Sequence, residues 1–101
     1  MAKVSMMGTI SCIEGKGDEM EAVLRTMVDA ARQEPGVEIY SYHRGDNDAF
    51  YFFALMTDDE AMQHHGSSAE MQTAMAAFMP LMAGPPHMTA ATPIAAVGFD
   101  L

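Results

Sequence analysis

The stretch Ala49-Phe50-Tyr51-Phe52-Phe53-Ala54-Leu55-Met56 is apolar at both parities, and nothing else in the chain constrains the fold as strongly. Alternate side chains of a strand point to opposite faces, so a strand with one wet face alternates apolar and polar residues. This one does not alternate. Each face of the sheet that holds it needs cover. A helix stop at Glu34-Pro35-Gly36, a strand over 37–43 and a polar turn, Arg44-Gly45-Asp46-Asn47-Asp48, precede it. That turn is short enough for a hairpin.

Upstream, Val4 to Ile13 reads as a first strand, with Gly8 marking a bulge or a close backbone approach. A turn at Glu14-Gly15-Lys16-Gly17 leads into the best helical signal. Met20, Val23, Leu24, Met27, Val28 and Ala31 form one apolar stripe at helical spacing. Asp18 with Glu21 predicts a capping box at its start, and Pro35 forces Glu34 out of helical geometry. Downstream, Thr57-Asp58-Asp59-Glu60 predicts a second capping box, opening a short helix that Gly66 closes. Ser67-Ser68-Ala69-Glu70 predicts a third, opening a helix with the stripe Met71, Ala74, Met75 and Phe78, which Pro80 ends or kinks. After the break at Gly84-Pro85-Pro86, Met88 to Phe99 offers a last strand, with Pro93 implying an edge position or a bulge.

The order β-α-β-β-α-β predicts one α+β domain over residues 1–101. Its expected architecture is ferredoxin-like: a four-stranded antiparallel sheet with helices on one face. The helical stripes cover that face. On the other, either Phe50, Phe52 and Met56 or Tyr51, Phe53 and Leu55 would stand in water. Leaving three such side chains unburied forgoes roughly 1.5–3 kcal/mol each, a large share of a small domain's stability. A second copy laying its sheet against the first removes the problem, so a homodimer through the open sheet face is expected.

Composition narrows the partners. A formal net charge of −9, with five Lys and Arg in all, argues against nucleic acid and anionic membrane. No run reaches the roughly 18–20 apolar residues of a membrane helix. Residues 4–13 resemble a short signal core behind Lys3, but polar and small residues interrupt them and no cleavage pattern follows. The single Cys12 excludes an internal disulfide or a cysteine metal cluster, so a cytoplasmic location is expected. Twelve methionines fit ordinary core filling better than an adaptable pocket.

Several pieces together resemble the antibiotic biosynthesis monooxygenase family of dimeric α/β barrels, along nearly the whole chain. They are Glu-Gly-Lys-Gly-Asp-Glu at 14–19, Gln33-Glu34-Pro35-Gly36 with Tyr40 four residues on, and Phe50 opening the third strand. Asp-Asp-Glu-Ala at 58–61, His65-Gly66-Ser67-Ser68, and Leu81 to Pro86 before a final strand complete the set. The resemblance implies the fold above, paired sheets in a dimer, and a pocket between each sheet and its helices. Members oxidise aromatic polyketides or quinols with molecular oxygen and neither metal nor flavin; others degrade haem or isomerise small phosphorylated molecules. Some family features are missing. Ala54 and Met56 stand where many members carry an acidic residue and a tryptophan. Gly8 and Met75 replace the asparagine and histidine of the haem-degrading branch, and Glu70 replaces the second histidine of a His-x-x-Ser-x-His pattern.

Cofactor-free oxygenation requires an apolar slot for an electron-rich ring, a proton acceptor, and donors where charge develops. The candidate catalytic residues are His65, Tyr40 and Glu38. Tyr40, Glu38 and Tyr42 share a parity that faces either the helices or the dimer partner, and the resemblance favours the helices. There a carboxylate among aromatic and Met side chains would have its pKa raised by desolvation. Substrate contacts are expected from Tyr42, Phe50, Phe52, Met56, Ser68, Met71 and Met75, although capping alone accounts for Ser67 and Ser68. The histidines His43, His64, His65 and His87 lack metal-ligand spacing, so neither metal nor cofactor is expected. The leading expectation is a monooxygenase acting on a small aromatic or quinol-type substrate. A non-catalytic ligand-binding or stress-response barrel, and a small-metabolite isomerase, are the rivals.

Overall fold

A computed structural model describes residues 2–101. The elements run β1 (Val4–Ser11), α1 (Gly17–Ala31), β2 (Val37–Arg44), β3 (Ala49–Met56), α2 (Asp59–His64), α3 (Ala69–Phe78) and β4 (His87–Ala91). Short 3-10 turns at Asp46–Asp48 and Met79–Leu81 complete the order. The four strands form one antiparallel sheet in the order β2-β3-β1-β4. This is the expected ferredoxin-like α+β fold, with the doubly apolar β3 in a central position.

The core lies between one sheet face and helices α1 and α3. Met20, Leu24, Met27, Ala30 and Ala31 of α1 meet Met71, Ala74 and Phe78 of α3 over Ile10, Phe50 and Phe52 of the sheet. The parity question on β3 is thereby answered. Phe50, Phe52, Ala54 and Met56 are buried on the helical side, and Tyr51, Phe53 and Leu55 point away. The far face is less exposed than expected: Tyr51 is 47% exposed and Phe53 half-buried, but Leu55 is fully buried within the single chain.

The capping signals are shifted from their expected positions. Helix α1 begins at Gly17 behind Lys16, which makes no side-chain cap, so the predicted Asp18/Glu21 box does not form. Arg44 explains the change. Its Nη1 donates to Asp18 at 3.0 Å and to Glu21 at 3.1 Å, and its Nη2 reaches Asp48 at 2.6 Å. The guanidinium also lies 5.5 Å above the Phe50 ring, tying the end of β2 to the first turn of α1. Asp58, not Thr57, caps α2 by accepting the Ala61 amide at 2.8 Å. Ser68, not Ser67, caps α3 by accepting from Met71 at 3.0 Å. In both places the second residue of the motif holds the non-helical geometry a cap requires.

Two strands are shorter than predicted. β1 ends at Ser11, and β4 ends at Ala91 rather than Phe99. Beyond Ala91 the chain carries Pro93, whose missing amide cannot continue a ladder, and it runs on without regular structure. Ile94 and Val97 there are 88% and 100% exposed. Gly8 is the close approach the sequence suggested. A Cβ at that position would overlap the carbonyl of His87 on β4.

Candidate functional site

The residues around Tyr40 are built by a register irregularity at the start of β2. Val37 pairs with Met56 and Ile39 with Leu55, so Glu38 has no partner of its own and forms a bulge. From Ile39 onward the strand alternates regularly, sending Tyr40 and Tyr42 to the helical side. Val37 joins them there, packed against the core, instead of sharing a face with Ile39. Strict alternation had put Glu38 beside Tyr40. The bulge turns it outward instead.

Glu38 is consequently a surface carboxylate. Lys3 Nζ donates to it at 2.8 Å and Thr57 Oγ1 at 3.1 Å. The bond from Lys3 holds its pKa below the usual carboxylate range, opposed by slight desolvation. The raised pKa expected for a general base is therefore absent, and Glu38 lies outside the cavity described next.

That cavity, of about 440 Å³, lies between the sheet and helix α3, within the size range of small-molecule sites. Its walls include Tyr40, Tyr42, Phe52, His65, Met71 and Met75 from the predicted site, together with Ile10, Gly66, Phe78 and Pro86. Of the other predicted contacts, Phe50 is buried in the core beneath Arg44, Met56 is fully buried, and Ser68 is engaged as the α3 cap. None of these three reaches the cavity. Seven methionines do: Met6, Met27, Met71, Met75, Met79, Met82 and Met88. Core filling was the expected use of this residue: Met20 and Met56 fit it, and Met27 and Met71 are core residues that also border the cavity. Most of the others serve as an adaptable lining.

The polar groups gather at the β2 end. Tyr40 and Tyr42 hydroxyls lie 2.6 Å apart, and either can donate. Burial raises both pKa values, with the neighbouring hydroxyl as the next influence on each. The His65 ring stands edge-on to Tyr40 at 5.1 Å. Its Nδ1 is 2.8 Å from Glu34 Oε1, while Glu34 Oε2 accepts the Gly66 amide at 2.7 Å.

Glu34 was read from the sequence as part of a helix stop and of the Gln33-Glu34-Pro35-Gly36 piece, with no role in the site. It is instead a carboxylate whose side chain is 6% exposed, bonded to a histidine with 13% exposure. The missed signal was its position before Pro35-Gly36. The proline ends α1, and Gly36 turns the chain at φ 84°. Glu34 is thus held beneath the loop after α2, where His65 leaves the helix with extended backbone. A carboxylate on Nδ1 selects the tautomer that carries its proton there and leaves Nε2 as a lone-pair acceptor. Among the described residues Nε2 has no protein partner. The arrangement offers an oriented base and a bonded phenol pair with one O–H left to donate, at one end of an otherwise apolar chamber.

A family model described as antibiotic biosynthesis monooxygenase matches residues 3–77. Among solved structures, a Caulobacter crescentus protein of the antibiotic biosynthesis monooxygenase type superposes with a TM-score of 0.85 at 24% identity, covering 93% of this chain and 92% of its own. A Mycobacterium tuberculosis protein superposes at 0.84 with 18% identity, covering 96% and 100%. SnoaB, a cofactor-independent oxygenase from Streptomyces nogalater solved as a point variant, superposes at 0.82 with 15% identity, covering 98% and 100%. No curated protein matches. At these identities the superpositions show a shared fold.

Proposed function

Because the chain belongs to the antibiotic biosynthesis monooxygenase family, we propose that it is a cofactor-independent monooxygenase acting on a small aromatic or quinol-type substrate. The observation that carries this reading is the Glu34–His65 pair at the wall of the apolar cavity, in contact with Tyr40. His65 Nε2 accepts a proton from the substrate, and the resulting anion passes an electron to oxygen. Recombination at a carbon that still bears hydrogen gives a peroxide, which takes up the proton held by His65. Loss of water then leaves a carbonyl. One oxygen atom ends in the product, the other in water, and the substrate supplies every electron. Within the Tyr40–Tyr42 pair one hydroxyl donates to the other, and the second donates its hydrogen bond to the oxygen on which negative charge develops.

Glu38 has no part in this scheme, since its lowered pKa and outward position suit neither proton transfer nor substrate contact. The test is oxygen uptake across a panel of quinols and anthrones. A His65→Ala variant should lose at least tenfold in turnover, as expected for a missing general base. Full turnover in that variant removes His65 from the mechanism. A substrate bound and recovered unaltered in air points to a binding protein, and turnover without oxygen points to an isomerase.

The same reading includes a homodimer. The strand registers place Ser5, Met7, Thr9, Ile39, Ser41, His43, Tyr51, Phe53, Leu55, His87, Thr89 and Ala91 on the far sheet face, none of them Asp, Glu, Lys or Arg. On a chain of net charge −9, an uncharged sheet face fits contact with another copy. No helix among the described residues is long and apolar enough to cross a membrane. The unpaired Cys12 suits a reducing cytoplasm.

A further inference from the structure

The cavity extends across the sheet. Tyr40 and Tyr42 on β2 line one end and Met88 on β4 the other, in the strand order β2-β3-β1-β4. Three inter-strand steps make that distance roughly 14 Å. The hydrogen-bonding side chains on its walls, Tyr40, Tyr42 and His65, all stand at the β2 end. Beyond Phe52 the side chains that line the chamber are all apolar. Among the cavity's methionines, Met75 on α3, Met79 just after it and Met88 on β4 are 37%, 57% and 54% exposed. A solitary exposed apolar side chain needs no explanation, but three that line one cavity extend its lining into solvent. Unbranched thioether side chains mould themselves to a flexible aliphatic partner.

We infer that the substrate is amphiphilic: a phenol or quinol head oxygenated where it meets Tyr40 and His65, bearing an unbranched aliphatic chain that lies along the methionines and leaves past Met79 and Met88. This rests on the reading of the site as one for a quinol-type molecule. A compact, multiply hydroxylated ring system fits less well. Any hydroxyl it placed beyond Phe52 would lose its water partners and gain none, weakening binding by about tenfold each.

The experiment is calorimetric titration of the full chain, without oxygen, using hydroquinone and its butyl, hexyl and octyl derivatives. The Kd should fall about three- to fourfold per added methylene while the chain remains inside, and level off once it clears the mouth. In a Met79→Ser/Met88→Thr double variant, the gain from the outermost methylenes should disappear. A Kd independent of chain length overturns the inference. So does tighter binding of a trihydroxyanthrone than of octylhydroquinone, or a double variant that keeps the full gain. If the double variant fails to fold, the wild-type series decides alone. Oxygen uptake separates this inference from the catalytic reading. Tight octylhydroquinone binding with no oxygen consumed in air supports the amphiphile and removes the monooxygenase. Turnover that ignores chain length does the reverse.

Discussion

A carboxylate taken out of water costs free energy unless its oxygens are engaged, and Glu34 engages one with His65 Nδ1 and the other with the Gly66 amide. Its contribution to chemistry would be indirect, as the residue that fixes the imidazole. Glu34→Gln can present an amide N–H to Nδ1, which favours the tautomer with its proton on Nε2 and removes the base. Steady-state kinetics of this variant should show kcat lowered by at least ten- to a hundredfold with little change in KM. Equal loss in both constants would mean that Glu34 shapes the pocket and does not orient His65. The paired tyrosines make a separate prediction about stability. Burial raises the pKa of Tyr40 and Tyr42 in the folded state, above the ordinary phenol value of about 10 in the unfolded chain. An acid group with a raised folded pKa leaves stability intact below the unfolded value and removes it as pH rises further. Melting temperature should therefore be insensitive to these two groups at neutral pH and fall above about pH 10. A Tyr42→Phe variant should lose part of that alkaline sensitivity.

At the scale of elements, the β1–β4 contact depends on a glycine. Gly8 pairs with Met88, and a Cβ there would overlap the His87 carbonyl, a backbone atom that cannot step aside alone. Gly8→Ala should push β4 off the sheet edge and cost about 1–3 kcal/mol, or several degrees in melting temperature for a chain of this size. Because Met88 lines the cavity, the same change should weaken ligand binding, so thermal melts and titration test it together. The helix caps are simpler. Asp58→Ala and Ser68→Ala should each cost about 1 kcal/mol in denaturant unfolding, with Thr57→Ala and Ser67→Ala costing less. Elements of this kind were legible to different degrees. Strand β3 and the stripe of α1 could be read directly, because periodicity is a local property of the sequence. The caps were off by one residue, since adjacent polar residues compete for a position that only backbone geometry assigns. The β2 bulge was not legible at all. It exists through pairing with β3, and a one-residue slip reverses which side chains share a face. Glu38 was placed in the pocket for that reason, whereas Tyr40 and Tyr42, beyond the bulge, kept the expected orientation. Glu34 and His65 are 31 residues apart, and no local pattern announces such a bond.

At the scale of the whole molecule, the proposed pairing of two sheets must overcome charge. Each chain carries −9, so two copies repel over distances comparable with the Debye length. Apart from the mutually neutralising Lys3–Glu38 pair at its edge, the far sheet face adds no charged side chain to that repulsion, but the remaining surface does. Association should therefore tighten as salt rises from low to physiological strength, the opposite of a contact held by ion pairs. It should also make melting temperature depend on protein concentration, because a partner that binds only the folded chain stabilises by mass action. Tyr51 is the natural point of intervention: it is 47% exposed on the far face, away from the cavity. Tyr51→Glu places a carboxylate where two copies would meet, and burying two like charges together is strongly unfavourable. Sedimentation equilibrium should find the wild-type chain as a dimer at micromolar concentration and the variant as a monomer. The variant's melting temperature should be lower and no longer respond to dilution. A wild-type chain that sediments as a stable monomer would mean that the burial of Leu55 and the partial cover of Phe53 already suffice. The Glu34–His65 pair and the cavity would be unaffected by that result, because every residue that forms them comes from one chain.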